Sequence, residues 1–238
     1  MVEWKAILMI YPAIEVSLPL SWLRKKKFKH QLTQEEVDDA LAAWQHFPAL
    51  AEECSQGEVT VKIDTTYIDR TINSLTEMGE KIYWPSPVDT KPELDRIVTA
   101  DTYDSVFVFW PLQNPATGES IPSGGWGLGM GASALSNNAT YAAVGNSPRE
   151  NWTRPKIGEI WLHEWLHGVC NHFAQKGFHM PDGDADGGGR SGYTQSDEHG
   201  WTGFYHDLMC GNVNASGQEV WIPAEAWRQG SIQSNLSA

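Results

Sequence analysis

The chain has 238 residues, enough for one domain with a good core or for two small lobes around a cleft. Thirty acidic against seventeen basic residues give a formal net charge of −13, which argues against nucleic acid and against an anionic membrane as partners. No apolar run approaches the length that crosses a bilayer, and three cysteines are too few for a disulfide framework.

In chain order, Lys5 to Val16 is apolar and β-branched enough for a central strand, with Pro12 marking an edge or bend in its later part. Arg24 to His30 is a basic cluster that reads as a solvated loop. Thr33 and Glu36 spell a capping box, and Val37, Ala40, Leu41 and Trp44 follow at helical spacing. A helix of about three turns is expected there, bent or restarted at Pro48 and closed by Gly57. Glu58 to Ile68 alternates apolar and polar residues over Val59, Val61 and Ile63, the pattern of a strand with one buried face. Thr66 to Gly79 reads as a helix with Ile68, Ile72, Leu75 and Met78 on its inner side. Trp84 to Pro87 is a turn, Pro92 to Ala100 a short helix, and Tyr103 to Trp110 a strand apolar enough to be covered on both faces.

Ser123 to Gly131 carries Gly127, Gly129 and Gly131, but no Lys-Ser or Lys-Thr pair and no helix signal follows, so it is no phosphate loop. It reads as a flexible rim leading to Thr140 to Val144, a short strand expected at the sheet edge, where an extended peptide can pair with exposed backbone. Asn146 to Thr153 is a loop.

Trp161 to His172 carries the chemistry. Pro155 can open a helix, and Ile157, Ile160, Trp161, Trp165 and Leu166 recur at helical spacing. His163 and His167, four apart, then share one face and can grip one metal ion. Glu164 sits beside that ion without having to bind it, placed to take a proton from water. This is the H-E-x-x-H pattern of zinc peptidases. Catalytic zinc takes three protein ligands and leaves a position open. His172 on a continued helix points away from the pair, and Cys170 shares their face but reads as a core thiol. Glu198 stands at the distance of a second-helix ligand but lacks an Asp four residues on. The loop His179 to Asp186 offers His179, Asp184 and Asp186. Its Asp182, Asp184, Asp186 and Gly187 also match the first half of a calcium loop, although Tyr193 stands where the bidentate carboxylate belongs. Glu198 to Cys210 reads as a second helix with Trp201, Phe204, Tyr205 and Leu208 inward. After modest apolar content at Val220 to Trp227, the polar tail is expected to be disordered.

Taken together, the layout resembles the zincin superfamily of metallopeptidases. His163 to His167, Gly192-Tyr193, and Trp201 through Phe204-Tyr205 to Met209 look like a set of bacterial zincin-like proteins. The resemblance covers about fifty residues. It implies an α+β fold: a mixed twisted β-sheet with backing helices, an active-site helix and a loop-rich C-terminal subdomain, divided as residues 1–177 and 178–238. Asp207 to Gly211 resembles the methionine turn beneath the metal in metzincins, without the full metzincin motif. In that set a histidine precedes the Gly-Tyr, close to where this chain has Asp186, which implies Asp186 as the third ligand, with His179 as the alternative.

The expectation is therefore a zinc-dependent hydrolase, an endopeptidase acting on peptide or protein. His163, His167 and Asp186 or His179 hold zinc, Glu164 is the general base, and Tyr193 or Tyr205 meets the oxyanion. Two alternatives stand beside it: a zinc amidase acting on a glycan or small molecule, and an inert metal-stabilised binding module. Met1 to Pro12 is too short and too strand-like for a signal peptide. Either the chain is cytoplasmic, or it is secreted or extracellular with its signal replaced by a starting Met, and the second is favoured. A Cys170 to Cys210 bridge would accord with an oxidising compartment. Twelve Trp, seven Tyr and seven Phe serve chiefly the core, with a few to line a cleft for peptide or sugar.

Overall fold

The computed structural model describes residues 1–21, 24–99, 102–153, 156–181, 185–211, 213–215 and 218–233. β1 (Val2–Ile10) stops before Pro12, and the chain resumes as β2 (Ala13–Ser21), paired antiparallel with β3 (Arg24–Gln31). The expected single strand over Lys5 to Val16 is thus two, and the basic cluster is a strand rather than a loop. Phe28 is buried in it while Lys25, Lys27 and Lys29 face outward, a period of two with a single apolar residue to reveal it.

α1 (Gln34–Cys54) starts on the expected box: Glu36 N donates to Thr33 Oγ1 at 3.2 Å and Thr33 N to Glu36 Oε2 at 2.8 Å. It continues unbroken past Pro48 rather than restarting there, because Trp44, Phe47, Leu50 and Ala51 bury a continuous face that outweighs the lost hydrogen bond. β4 (Val59–Tyr67) follows as expected. Thr66 to Gly79 is not a helix. Ile72 exchanges backbone hydrogen bonds with the start of β2, its N–H donating to Ala13 O at 2.9 Å and its O accepting from Glu15 N at 2.8 Å, so tertiary pairing overrides the helical period.

The short ladders β5 (Thr76–Glu77) with β6 (Tyr83–Trp84) and β8 (Gln113–Asn114) with β9 (Glu119–Ser120) flank α2 (Lys91–Ile97) and β7 (Ser105–Trp110). β10 (Gly127–Met130) and β11 (Thr140–Gly145) come next, then α3 (Arg149–Thr153) and α4 (Glu159–Gln175). The remainder holds α5 (Ala185–Arg190), α6 (Thr202–Cys210), the pair β12 (Asn214–Ala215) and β13 (Gln218–Glu219), and α7 (Ala224–Arg228).

One mixed, twisted sheet organises these elements in the order β10-β11-β7-β1-β4, parallel except for antiparallel β10. The glycine run, expected as a rim, therefore supplies an edge strand, β10, and β11, expected at the edge, lies inside. Both faces are covered: Trp4, Ala6, Leu8 and Ile10 of β1 pack with α1, α4, α6 and α7, whereas Ile7 and Met9 pack with β2, β3 and Trp110. Val220, Ile222, Trp227 and Ile232 belong to the same cluster as Trp4 and Trp165, so one core extends across residues 177 and 178. The tail remains tied as far as Gln233, whose N–H donates to Asp104 Oδ1 and whose amide donates to Tyr103 O, both at 2.8 Å. None of Cys54, Cys170 and Cys210 is in a disulfide, so the Cys170 to Cys210 bridge is not formed. No helix among the described residues is long and apolar enough to cross a membrane.

Candidate metal centre

α4 is seated by glycine at both its start and its middle. Gly158, at φ 92°, caps it where a Cβ would come within 3.0 Å of Phe47 N, so both conformation and space require glycine. Gly168 lets the helix close on β11, where a Cβ would lie 2.6 Å from that of Thr140. Trp161, Leu162, Trp165, Leu166, Val169 and Phe173 are buried in the core. That packing leaves His163 and His167 half-buried and Glu164 buried.

These three side chains converge as their spacing predicts. One ligand atom from each of His163, Glu164 and His167 lies within 4.8 Å of the others, and the two imidazole centroids are 5.1 Å apart. His163 Nε2 is 3.7 Å from Glu164 Oε1, while its Nδ1 is 2.6 Å from the Tyr205 hydroxyl on α6. Nε2 is thus the nitrogen facing the cluster. If Nε2 ligates a metal, the neutral imidazole carries its proton on Nδ1 and donates it to Tyr205, which would fix tautomer and ring orientation together.

β10 closes this group from the sheet side. A Cβ on Gly127 would overlap the Glu164 carboxylate, one on Gly129 would lie 2.5 Å from His167 Cβ, and one on Gly131 would overlap the Asn171 amide. Glycines two apart on a strand present one bare face, and α4 offers residues 164, 167 and 171 against it. The alternation was visible in the chain, but its meaning depends on the helix that packs there.

A cleft of about 420 Å³ opens beside the cluster, lined by Gly124 to Gly127 on one wall and by Asn151, Glu159, His163, Glu164, Gln195, Trp201 and Tyr205 elsewhere. His167 borders a second hollow of about 280 Å³ with Cys170 and Met180. A larger hollow, about 680 Å³, lies among Glu3, Lys5, Lys62, Asp64 and Tyr103 and has neither imidazole nor thiol in its lining.

The other expected residues fare differently. His179 and Glu198 are exposed, and neither joins the donor group. Asp182 and Asp184, and with them the calcium loop, lie outside the described residues; Asp186 belongs to α5 by its backbone. Tyr193 donates its hydroxyl to Asp207 and packs on Phe204, away from the cleft lining; burial first and then Asp207 push its pKa up to about 12. Tyr205 lines the cleft, with its hydroxyl 2.6 Å from His163 Nδ1. Met209 sits inside α6 rather than in a turn, fully buried, its carbonyl accepting from Trp227 Nε1 at 3.1 Å. His172 is buried against Trp4, as its helical phase requires.

Comparison with protein-family models, with curated proteins and with solved structures finds no match. The donor set therefore carries the functional reading by itself. Two imidazoles and a carboxylate this close together could hold a metal ion; His163 and Glu164 line the cleft, and His167 borders the second hollow.

Proposed function

We propose that the chain is a zinc-dependent hydrolase of peptides, an endopeptidase with a zincin-like arrangement. The observation that carries this reading is the grouping of His163, Glu164 and His167 within 4.8 Å on one helix face, with His163 and Glu164 at the cleft. His163 holds the metal through Nε2, with Nδ1 anchored to Tyr205, and His167 provides the second imidazole. Asp186 is proposed as the third ligand, in preference to the exposed His179. Zinc in this position supplies Lewis acidity, acidifying water and polarising an amide carbonyl. Glu164, buried at the cleft wall and packed against Gly127, takes the proton at Oε1 and returns it to the leaving amine. β10, hydrogen-bonded on one side only, offers its open edge to the backbone of an extended substrate.

The test pairs metal content with turnover. Zinc should co-purify with the protein at one equivalent, and Glu164→Gln should retain the metal while casein cleavage disappears. Equal cleavage by parent and variant would remove Glu164 as the base. Trp126 and Trp201 in the cleft favour a second reading, an amide in a glycan or small molecule, which a panel of glycan and peptide amides separates from the first.

A further inference from the structure

Glu159 stands one helical turn before His163, on the same side of α4, and both line the cleft. It is 7 % exposed. One carboxylate oxygen, Oε1, accepts the Trp201 backbone N–H at 2.7 Å; the other, Oε2, is shielded from water and has no hydrogen-bond partner among the described residues. The ammonium of Lys156, three residues earlier, donates to Glu53 at 2.7 Å and acts on Glu159 only through space. Nor is Glu159 a ligand, because its oxygens fall outside the 4.8 Å donor group. A buried carboxylate half-satisfied at the wall of a reaction cleft lacks a donor that a ligand can bring.

We infer that Glu159 forms a subsite for a cationic group of the substrate, an ammonium or a guanidinium, held one helical turn from the metal pair. The inference rests on the hydrolase reading for what the site does to that substrate. Three further features agree with it. Trp126 and Trp201 line the same cleft, and indole rings attract cations. The net charge of −13 draws basic peptides towards the protein. Burial raises the Glu159 pKa against the weaker opposing pull of the Trp201 and Lys156 backbone N–H groups and of the Lys156 ammonium, so a cation arriving in the cleft adds to what stabilises the ionised form.

The experiment uses the zinc-loaded full chain carrying Glu164→Gln, so that peptides are bound and not consumed. Calorimetry compares end-blocked peptides identical except for Lys or norleucine at each position in turn, and an unblocked peptide without Lys. Either the Lys peptide or the free-amine peptide should bind about tenfold more tightly than the blocked norleucine peptide. The arm that does so tells a side-chain cation from an α-ammonium. Adding Glu159→Gln, which keeps an acceptor for Trp201, should shrink the preference below about twofold and leave the norleucine affinity unchanged. Equal affinities in the parent, absence of binding, or a uniform loss for all peptides on Glu159→Gln overturns the subsite. Selective binding without turnover by protein that retains Glu164 keeps the subsite and removes the hydrolase reading; turnover without selectivity does the reverse.

Discussion

Replacing Gly129 by Ala measures how firmly the edge strand is pressed on the active helix. The added Cβ would stand 2.5 Å from His167 Cβ, and Glu164 O is equally in its way. Carbon atoms in ordinary contact are about 3.5–4.0 Å apart, so β10 and α4 have to separate by about 1 Å. Neither obstacle is the far end of a flexible side chain, and the cost belongs at the upper end of the overpacking range, about 2–3 kcal/mol. The less flexible unfolded chain returns about 0.4–1 kcal/mol, leaving a net loss near 2 kcal/mol. In a protein of this size that lowers Tm by about 4–8 °C. Gly189→Ala is the control: it is exposed in α5, nothing lies within 4 Å, and an alanine there should stabilise by about 0.5 kcal/mol. Thermal and urea unfolding of both variants check the pair. If Gly129→Ala melts with or above the parent, β10 does not rest on α4, and the glycine alternation has no steric meaning.

Tyr205→Phe removes the acceptor for His163 Nδ1 and should weaken zinc binding about 10–100-fold in a chelator competition, with an unchanged affinity counting against Tyr205 as the orienting group. Burial, reinforced by Lys176 one turn on, depresses the His172 pKa to about 4 from an ordinary 6.5. Below pH 6.5 the unfolded imidazole binds a proton that the folded one refuses, so stability is complete above that pH and falls until about pH 4, by at most about 3 kcal/mol. His172→Phe should flatten urea midpoints between pH 6.5 and 4, and an undiminished slope would assign the loss to other groups. Unfolded without reductant, the chain should present three reactive thiols, and a count of one would reveal a bridge.

What could be read along the chain were features made by neighbours in sequence. The Thr33 and Glu36 box, the apolar run ending at Trp110 and the four-residue spacing of His163 and His167 depend on helix and strand geometry, and each stands where expected. The structure departs from local pattern where distant partners decide conformation. Ile68 and Ile72 fit a helix by period, yet Ile72 is claimed by the backbone of β2. Lysines concealed the alternation around Phe28, and Trp201, 42 residues beyond Glu159, is the group that holds its carboxylate.

By itself the amino-acid order determined which side chains could meet a metal ion, because 3.6 residues per turn places His163 and His167 together in any helix. Tertiary structure alone decided what surrounds them. β10 lies against α4 only because β11 and β7 present it there, and α6 brings the Tyr205 hydroxyl to His163 from 42 positions away. Local geometry is written within a few residues, whereas packing depends on which surfaces the whole chain must bury together.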